Sequence, residues 1–259
     1  MSLPPLHVHD TGDGPALLFL HAFPLEGSMW DHQVAAFSGR YRCLRPDVWG
    51  FGCSPPPAAG FSLDDVAAAA VDALDARGIE TATVVGLSMG GYAAFALWRR
   101  FASRVNALVL CDTRAGADGD QARADRLAMA ESVRREESVA AVVETYMVRL
   151  LAPQSLAEAH IADPVRGRMS RATPAGVAAA QEAMAQRTDS TPLLPSISVP
   201  TLVLVGSQDT STPPGEAEVI AAGIPGAQLE VIDGAGHLTN LERWDAFNAR
   251  LRAFLDSVG

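Results

Sequence analysis

Thr83-Val84-Val85-Gly86-Leu87-Ser88-Met89-Gly90-Gly91 is the stretch that decides the fold of this chain. It joins an apolar, β-branched run, typical of a buried strand, to a stretch of helical periodicity over residues 89–100. The turn between them carries a Gly-x-Ser-x-Gly pattern, which is typical of a nucleophile elbow. Because the glycines let strand and helix approach closely, the turn presents the hydroxyl of Ser88 at its tip. The stretch therefore predicts a nucleophilic serine.

The same alternation of strand and helix extends towards both ends of the chain. Strands are predicted over residues 6–10, 16–21, 41–45, 83–86, 105–111, 201–206 and 228–232, and helices over 63–77, 89–100, 213–222 and 240–255. Ser62 and Asp65 form a capping-box pattern before the helix at 63–77, and Gly78 supplies a left-handed stop. This rhythm predicts an α/β fold with a mostly parallel sheet flanked by helices.

The middle of the chain breaks the alternation. Residues 113–191 contain helical patterns around 121–136, 139–151, 155–171 and 174–187, without a convincing strand. Since so long a segment is rarely a bare loop, we expect a helical cap (lid) over the strand ends. The predicted organisation is therefore a core of residues 1–112 and 192–259, with the cap at 113–191 inserted into it.

A serine nucleophile needs a base to remove its proton. His237 is the best-placed histidine, because it follows the predicted strand at 228–232 through the glycine-rich run Gly234-Ala235-Gly236. The other histidines lie on the predicted edge strand, within helical patterns or before the loop that follows the strand at 16–21; they are His7, His9, His32, His160 and His21. We interpret these five as structural or exposed.

The base in turn needs a carboxylate that orients its ring. Asp209 lies just past the predicted strand at 201–206, and it completes the chain order Ser88, Asp209, His237. Asp112 is a competitor, since it follows the neighbouring strand at 105–111. Asp209 is favoured because the turn after Gly206 suits a side chain that reaches back to an imidazole.

The tetrahedral intermediate of such a reaction needs hydrogen-bond donors for its oxyanion. The backbone N–H of Met89 begins a helix, where free amides and the helix dipole favour negative charge. The backbone N–H of Phe23 lies in His21-Ala22-Phe23-Pro24, directly after the strand at 16–21. Both are therefore predicted to form the oxyanion hole.

Composition limits the remaining possibilities. The 259 residues are 48% hydrophobic and 19% charged, enough apolar material for a large core. The net charge of -10, without any basic run, disfavours nucleic acid and anionic membrane surfaces as partners. The cysteines, Cys43, Cys53 and Cys111, are odd in number and lack the spacing of a zinc site, which predicts reduced thiols in a cytoplasmic protein. The oligomeric state is not set by the sequence.

Together these motifs resemble the α/β-hydrolase superfamily, in particular its small esterases, enol-lactonases and cofactor-free haloperoxidases. The resemblance rests on His-Ala-Phe-Pro at 21–24, on residues 46–54, on the elbow at 86–91, on Asp209 and on Gly-Ala-Gly-His at 234–237. Residues 86–92 and 108–114 look most like 3-oxoadipate enol-lactonases. This chain departs from the family pattern at Ala22, where glycine is frequent, and at Trp49, where arginine is common.

The resemblance implies a Ser88 acyl-enzyme formed from a small ester or lactone, an oxyanion held by Phe23 and Met89, and deacylation by water activated through His237. It implies no metal and no organic cofactor. A carbon–carbon bond hydrolase, or a cofactor-free perhydrolase or haloperoxidase, would use the same triad. A ligand-sensing receptor without catalysis is the alternative from another class.

Overall fold

The computed structural model of the chain describes residues 3–258. Its strands are β1 (Val8–Thr11), β2 (Ala16–Leu20), β3 (Arg42–Pro46), β4 (Ala82–Leu87), β5 (Val105–Cys111), β6 (Thr201–Gly206) and β7 (Gln228–Ile232). They form one sheet in the order β1-β3-β2-β4-β5-β6-β7. β1 runs antiparallel to β3, and the other neighbours are parallel. The predicted mostly parallel sheet is therefore confirmed.

The centre of the sheet lies in the interior of the protein. Every residue of β2, β4 and β6 is buried. Strands buried at consecutive positions must be covered on both faces, which explains why they read as unbroken apolar runs instead of alternating patterns. The predicted α/β architecture, with helices flanking the sheet, is confirmed.

The helices are α1 (Asp31–Phe37), α2 (Leu63–Asp75), α3 (Met89–Phe101), α4 (Asp120–Glu136), α5 (Ala140–Leu150), α6 (Pro153–Ala157), α7 (Ala159–Met169), α8 (Pro174–Ala185), α9 (Pro214–Gly223), α10 (Thr239–Glu242) and α11 (Trp244–Val258). α3 packs on β2, β4 and β5 with α2 beside it, and α9 packs on β6 and β7. The capping box of Ser62 and Asp65 is present, and Gly78 has a φ of +65°. None of the helices within residues 3–258 is both long and apolar enough to cross a membrane.

The C-terminal helix differs from its prediction. A single helix over 240–255 is wrong, because Arg243 leaves the helical conformation with φ −137° and ψ 52°. The buried side chain of Asn240 donates to Met29 O at 2.9 Å, and that of Glu242 accepts from Ala152 N at 2.9 Å. These contacts tie α10 to other parts of the molecule, so tertiary contacts override the helical periodicity.

Two further helical predictions are corrected. The predicted helix over 155–171 is divided at Glu158, where the backbone is extended, into α6 and α7. α1, at residues 31–37, was not predicted. All five α-helices between β5 and β6 belong to the segment for which the sequence predicts a cap.

The strand order creates a crevice where the functional loops meet. The chain passes from β2 outwards to β3 and then returns to the other side of β2 to form β4. Connections therefore leave the carboxyl ends of β2 and β4 in opposite directions, and ligands of open α/β sheets bind at such points. The loop at residues 21–24 follows β2, and Ser88 follows β4.

Candidate active site

Ser88 lies on a sharp turn between β4 and α3. Its backbone, with φ 57° and ψ −113°, occupies a region that L-residues rarely adopt, at a cost of roughly 1–3 kcal/mol. Ser88 N donates to Cys111 O at 3.0 Å, and Thr113 Oγ1 donates to Ser88 O at 2.9 Å. These bonds from β5 and the residues after it hold the strained turn, which has the form that the sequence predicted.

The glycines of the turn are required by close packing. A Cβ on Gly90 would collide with the backbone carbonyl of Leu20 in β2, and a Cβ on Gly86 would collide with the carbonyl of Gly90. Backbone atoms cannot move aside as a flexible side chain does. The close approach of α3 to β2 therefore requires glycine at these positions, because its side chain is a single hydrogen atom.

Gly90→Ala is expected to destabilise the fold by about 1–3 kcal/mol, as overpacking of a tight interior site does. Gly167 is the matched control, because it is exposed in α7 and a Cβ there would meet no atom. Gly167→Ala should be neutral or stabilising by about 0.5–1 kcal/mol, as glycine weakens a helix interior. Urea unfolding midpoints compare the two variants; equal midpoints would contradict the packing argument.

His237 and Asp209 form a buried pair beside Ser88. His237 Nδ1 lies 2.7 Å from Asp209 Oδ2, and His237 N donates to Leu150 O at 2.9 Å. With its Nδ1 proton donated to the carboxylate, the imidazole keeps a lone pair on Nε2. That is the form in which a histidine can accept a proton from a hydroxyl.

Asp209 is held by the turn that follows it. Its Oδ1 accepts from Ser211 N at 2.8 Å and from Thr212 N at 2.9 Å, and its Oδ2 accepts from Thr212 Oγ1 at 2.7 Å. Burial raises the pKa of Asp209, but His237 and the Thr212 donors outweigh burial and hold the pKa below its usual value. The carboxylate is therefore charged at neutral pH. Sequence reasoning missed Thr212, for which no pattern gave a signal.

The competing carboxylate, Asp112, faces a different set of partners. Gly206 N donates to its Oδ1 at 2.9 Å, and the hydroxyl of Thr239 donates to its Oδ2. Burial, and then the charge of Asp209, raise the pKa of Asp112 well above its usual value. Asp112 lies next to the pair but makes no hydrogen bond to His237.

The predicted oxyanion-hole donors are the backbone amides of Phe23 and Met89. Within residues 3–258 neither N–H donates a hydrogen bond to another protein group. The ring of Phe23 packs on the rings of Tyr146 and Phe51, with centroids 5.0 and 6.1 Å away. The predicted donors are therefore present at the ends of β2 and β4 with their protons unused.

His21 positions the loop that carries Phe23. The buried imidazole lies 3.0 Å from Ala22 O through Nδ1, and its Nε2 accepts from Val48 N at 2.9 Å. Burial lowers the pKa of His21, although the Ala22 carbonyl and Asp47 oppose it, so the ring is neutral. The structural role predicted for His21 agrees with this arrangement.

One cavity of about 740 Å³, including its open mouth, lies at the turn that carries Ser88. Ser88 is half-buried and opens into it, and His237 and Phe23 line it as well. Its other walls come from α4, α5 and α8 and from the turn after Asp209; they include Arg126, Met129, Tyr146, Arg149, Met184 and Thr212.

The arginines of the cavity differ in their partners. Arg126 pairs with Asp118 at 2.6 Å and also donates to Gln181 at 3.0 Å. Arg149 lies over the ring of Tyr146 at 5.8 Å, and its guanidinium has no carboxylate partner among residues 3–258. Arg114, which also lines the cavity, lies 3.7 Å from Glu216. Among the arginines of the cavity wall, Arg149 is therefore the one without a carboxylate partner in residues 3–258.

The chain has relatives over nearly its whole length. A family model described as the alpha/beta hydrolase fold matches residues 15–243. 3-Oxoadipate enol-lactonase 2 of Acinetobacter baylyi is 30% identical over 244 residues, which cover 94% of this chain and 89% of that protein.

Solved structures agree with this result. A thermophilic esterase of Thermogutta terrifontis with malate bound gives a TM-score of 0.93 at 38% identity, covering 98% of this chain and 93% of that one. The enol-lactonase of Burkholderia xenovorans gives a TM-score of 0.89 at 29% identity, covering 97% and 96%. The similarity therefore includes the segment between β5 and β6.

Proposed function

This chain belongs to the α/β-hydrolase family, and from that premise we propose that it hydrolyses carboxylic esters or lactones through a Ser88 acyl-enzyme. The observation that carries the proposal is one cavity lined by both the strained Ser88 and the Asp209-oriented His237. A serine on such a turn, sharing a cavity with an imidazole whose Nε2 is free, is suited to attack on an acyl carbon.

In acylation, Ser88 Oγ attacks the carbonyl carbon while His237 Nε2 takes its proton. The carbonyl oxygen becomes an oxyanion, which the N–H groups of Phe23 and Met89 receive. Collapse of this intermediate breaks the ester C–O bond, and His237 returns the proton to the leaving oxygen. For a lactone, that oxygen stays attached to the acyl group.

In deacylation, a water molecule takes the place of the leaving group. His237 Nε2 accepts one of its protons as the water oxygen attacks the acyl carbon, and the same two amides hold the second oxyanion. Ser88 then leaves with the proton from His237, and the product is the carboxylic acid. Asp209 remains charged throughout and stabilises the imidazolium.

We also propose that residues 113–191 act as the cap over this site. The cavity walls contributed by α4, α5 and α8 support the proposal. Two hydrogen bonds join the cap to the loop of the base: Leu150 O accepts from His237 N, and Ala152 N donates to Glu242. Movement of the cap would therefore shift the imidazole of His237 as well as the mouth of the cavity.

The unpaired Arg149 favours substrates that carry a carboxylate away from the reacting carbonyl. A guanidinium at the mouth of the cavity can bind such a group by charge-assisted hydrogen bonds. Two relatives support this preference: the esterase of Thermogutta terrifontis was solved with malate, a dicarboxylate, and an enol-lactone of 3-oxoadipate carries a free carboxylate. The leading substrate is therefore a small acidic lactone or ester.

Arg149→Ala is expected to raise KM about 10-fold for a carboxylate-bearing ester and to leave KM for a neutral short ester nearly unchanged. A 10-fold change in KM corresponds to the low end of the free energies found for hydrogen bonds to charged groups. The low end applies because the side chain of Arg149 is exposed and its charge is partly screened by solvent. Arg135→Ala, at an exposed site on α4, is the control. A parallel rise of KM for both esters would contradict carboxylate recognition.

The proposed function is tested by a panel of short esters, long esters, neutral lactones and acidic lactones, together with labelling by a fluorophosphonate. We expect turnover of the small substrates and one label per chain. A receptor built on this fold would instead bind a ligand tightly with negligible turnover. The absence of both turnover and labelling would refute the hydrolase proposal.

A further inference from the structure

Side chains with metal-binding atoms meet at the edge of the sheet where β1 pairs with β3. They are His7, His9, Asp47 and Cys53, and their donor atoms all lie within 4.8 Å of one another. The antiparallel register places Val8 opposite Pro46, which brings the His-x-His pair beside the residue that follows β3. The two imidazole rings lie 4.6 Å apart, edge to face.

The carboxylate of this cluster is held in place by the backbone. Asp47 is buried; its Oδ1 accepts from Gly27 N at 2.7 Å, and its Oδ2 accepts from Cys53 N at 2.9 Å. His9 Nε2 lies 3.1 Å from the same Oδ2. Gly52 has a φ of +53°, and a Cβ there would collide with the carboxylate, so the loop wraps closely around it.

The donor set is that of a transition-metal site. Two imidazole nitrogens, one thiolate and one carboxylate oxygen suit tetrahedral Zn²⁺, with bonds of about 2.0–2.3 Å. Ligand atoms around such an ion lie about 3.3–3.7 Å apart, so the four side chains need to close by only about 1 Å. His7 and Cys53 are exposed, which gives an ion direct access. The backbone amides of Gly27 and Cys53 would continue to donate to Asp47 and would orient its carboxylate as a ligand.

We propose that His7, His9, Asp47 and Cys53 form a binding site for a divalent transition metal of the zinc type. Binding through the thiolate releases the thiol proton of Cys53 to solvent. The ion would fix the loop at residues 47–54, whose Val48 amide holds His21. The site is separate from Ser88 and does not depend on the hydrolase proposal.

Titration of the reduced, tag-free full chain with Co²⁺ tests the site directly. We expect the visible bands of tetrahedral cobalt and a near-ultraviolet thiolate charge-transfer band, both saturating at one ion per chain. Addition of Zn²⁺ should abolish both. Ser88→Ala should bind Co²⁺ like the wild type, so failure of the metal proposal and failure of the hydrolase proposal are distinguishable.

Single substitutions identify the ligands. Cys53→Ser should remove the charge-transfer band and weaken binding at least about 10-fold, and His7→Gln and His9→Gln should weaken it similarly but keep the band at saturation. His32→Gln and His160→Gln, at exposed histidines elsewhere, are the controls. A spectrum unchanged by Cys53→Ser, or binding lost equally in the controls, means adventitious binding only and overturns the proposal.

Thermal unfolding gives a readout that is independent of spectroscopy. At a Zn²⁺ concentration about 100-fold above Kd, the wild-type Tm should rise by roughly 5–10 °C, because the ion binds the folded chain. Cys53→Ser should match the wild-type Tm without metal and lose most of the rise. If Zn²⁺ raises the Tm of both proteins equally, the cluster is not the site.

Discussion

Ser88→Ala is expected to lower kcat by about 10⁴- to 10⁶-fold on every ester and lactone that the wild-type chain hydrolyses. Alanine removes the only atom that can form the acyl-enzyme, while the amides of Phe23 and Met89 and the walls of the cavity stay in place. KM should therefore change much less than kcat. Steady-state kinetics and fluorophosphonate labelling measure the two consequences, and labelling should fall to zero.

Ser170→Ala provides the matched control, because that serine is exposed at the end of α7, where its hydroxyl donates only to Arg166 O. It should keep full turnover and full labelling. If Ser88→Ala retains the wild-type rate, the nucleophile has been assigned wrongly.

Ser88→Gly separates catalysis from stability. It should be as inactive as the alanine variant but more stable than the wild type by about 1 kcal/mol. Relief of roughly 1–3 kcal/mol of strain at φ 57° exceeds the 0.5–1 kcal/mol that a glycine costs. Urea unfolding of the two variants measures the difference; a loss of stability in Ser88→Gly would show that the turn is not strained.

Asp209→Asn is expected to lower kcat by about 10⁴-fold with little change in KM. The asparagine amide can donate to His237 Nδ1, which would leave the ring proton on Nε2. The lone pair that accepts the proton of Ser88 would then be lost, together with the charge that stabilises the imidazolium. Kinetics at neutral pH measure the effect, since the lowered pKa keeps Asp209 ionised there.

Asp112→Asn is the comparison that decides between the two carboxylates, and it should change kcat less than about 10-fold. Because the pKa of Asp112 is raised well above its usual value, a neutral amide of the same shape resembles the protonated acid. Its oxygen can still accept from Gly206 N. If Asp112→Asn is the more damaging substitution, the orienting acid has been assigned wrongly.

Asp112 also imposes a pH dependence on stability. Below about pH 3 the acid is protonated in both the folded and the unfolded chain, so it has no effect. As the pH rises, the unfolded chain releases this proton first, and folding loses stability until the pH passes the raised folded pKa. Asp112→Asn should therefore unfold at a higher denaturant concentration than the wild type at neutral pH, with the gain vanishing below about pH 3.

The sequence by itself predicted the mostly parallel sheet and the location of Ser88 and His237 in the turns that follow β4 and β7. Both depend on local signals: strand, glycine turn and helix lie within consecutive residues at Ser88, and strand and glycine loop do so at His237. Parallel strands end at the same edge of a sheet. Residues that follow such strands can therefore be predicted to lie in one region, even when the packing of the helices is not known.

Only the tertiary structure shows that Asp209, and not Asp112, is hydrogen-bonded to His237, because both follow strands that end at this edge and differ only in where the carboxylate points. It also showed that the helix predicted over 240–255 is interrupted at Arg243, although the local periodicity continues past that residue. His7 and His9 meet Cys53 through strand register and a loop that returns on itself, so the spacing of cysteines along the chain gave no sign of this cluster. Direction and long-range register arise from packing between distant segments, which no local pattern encodes.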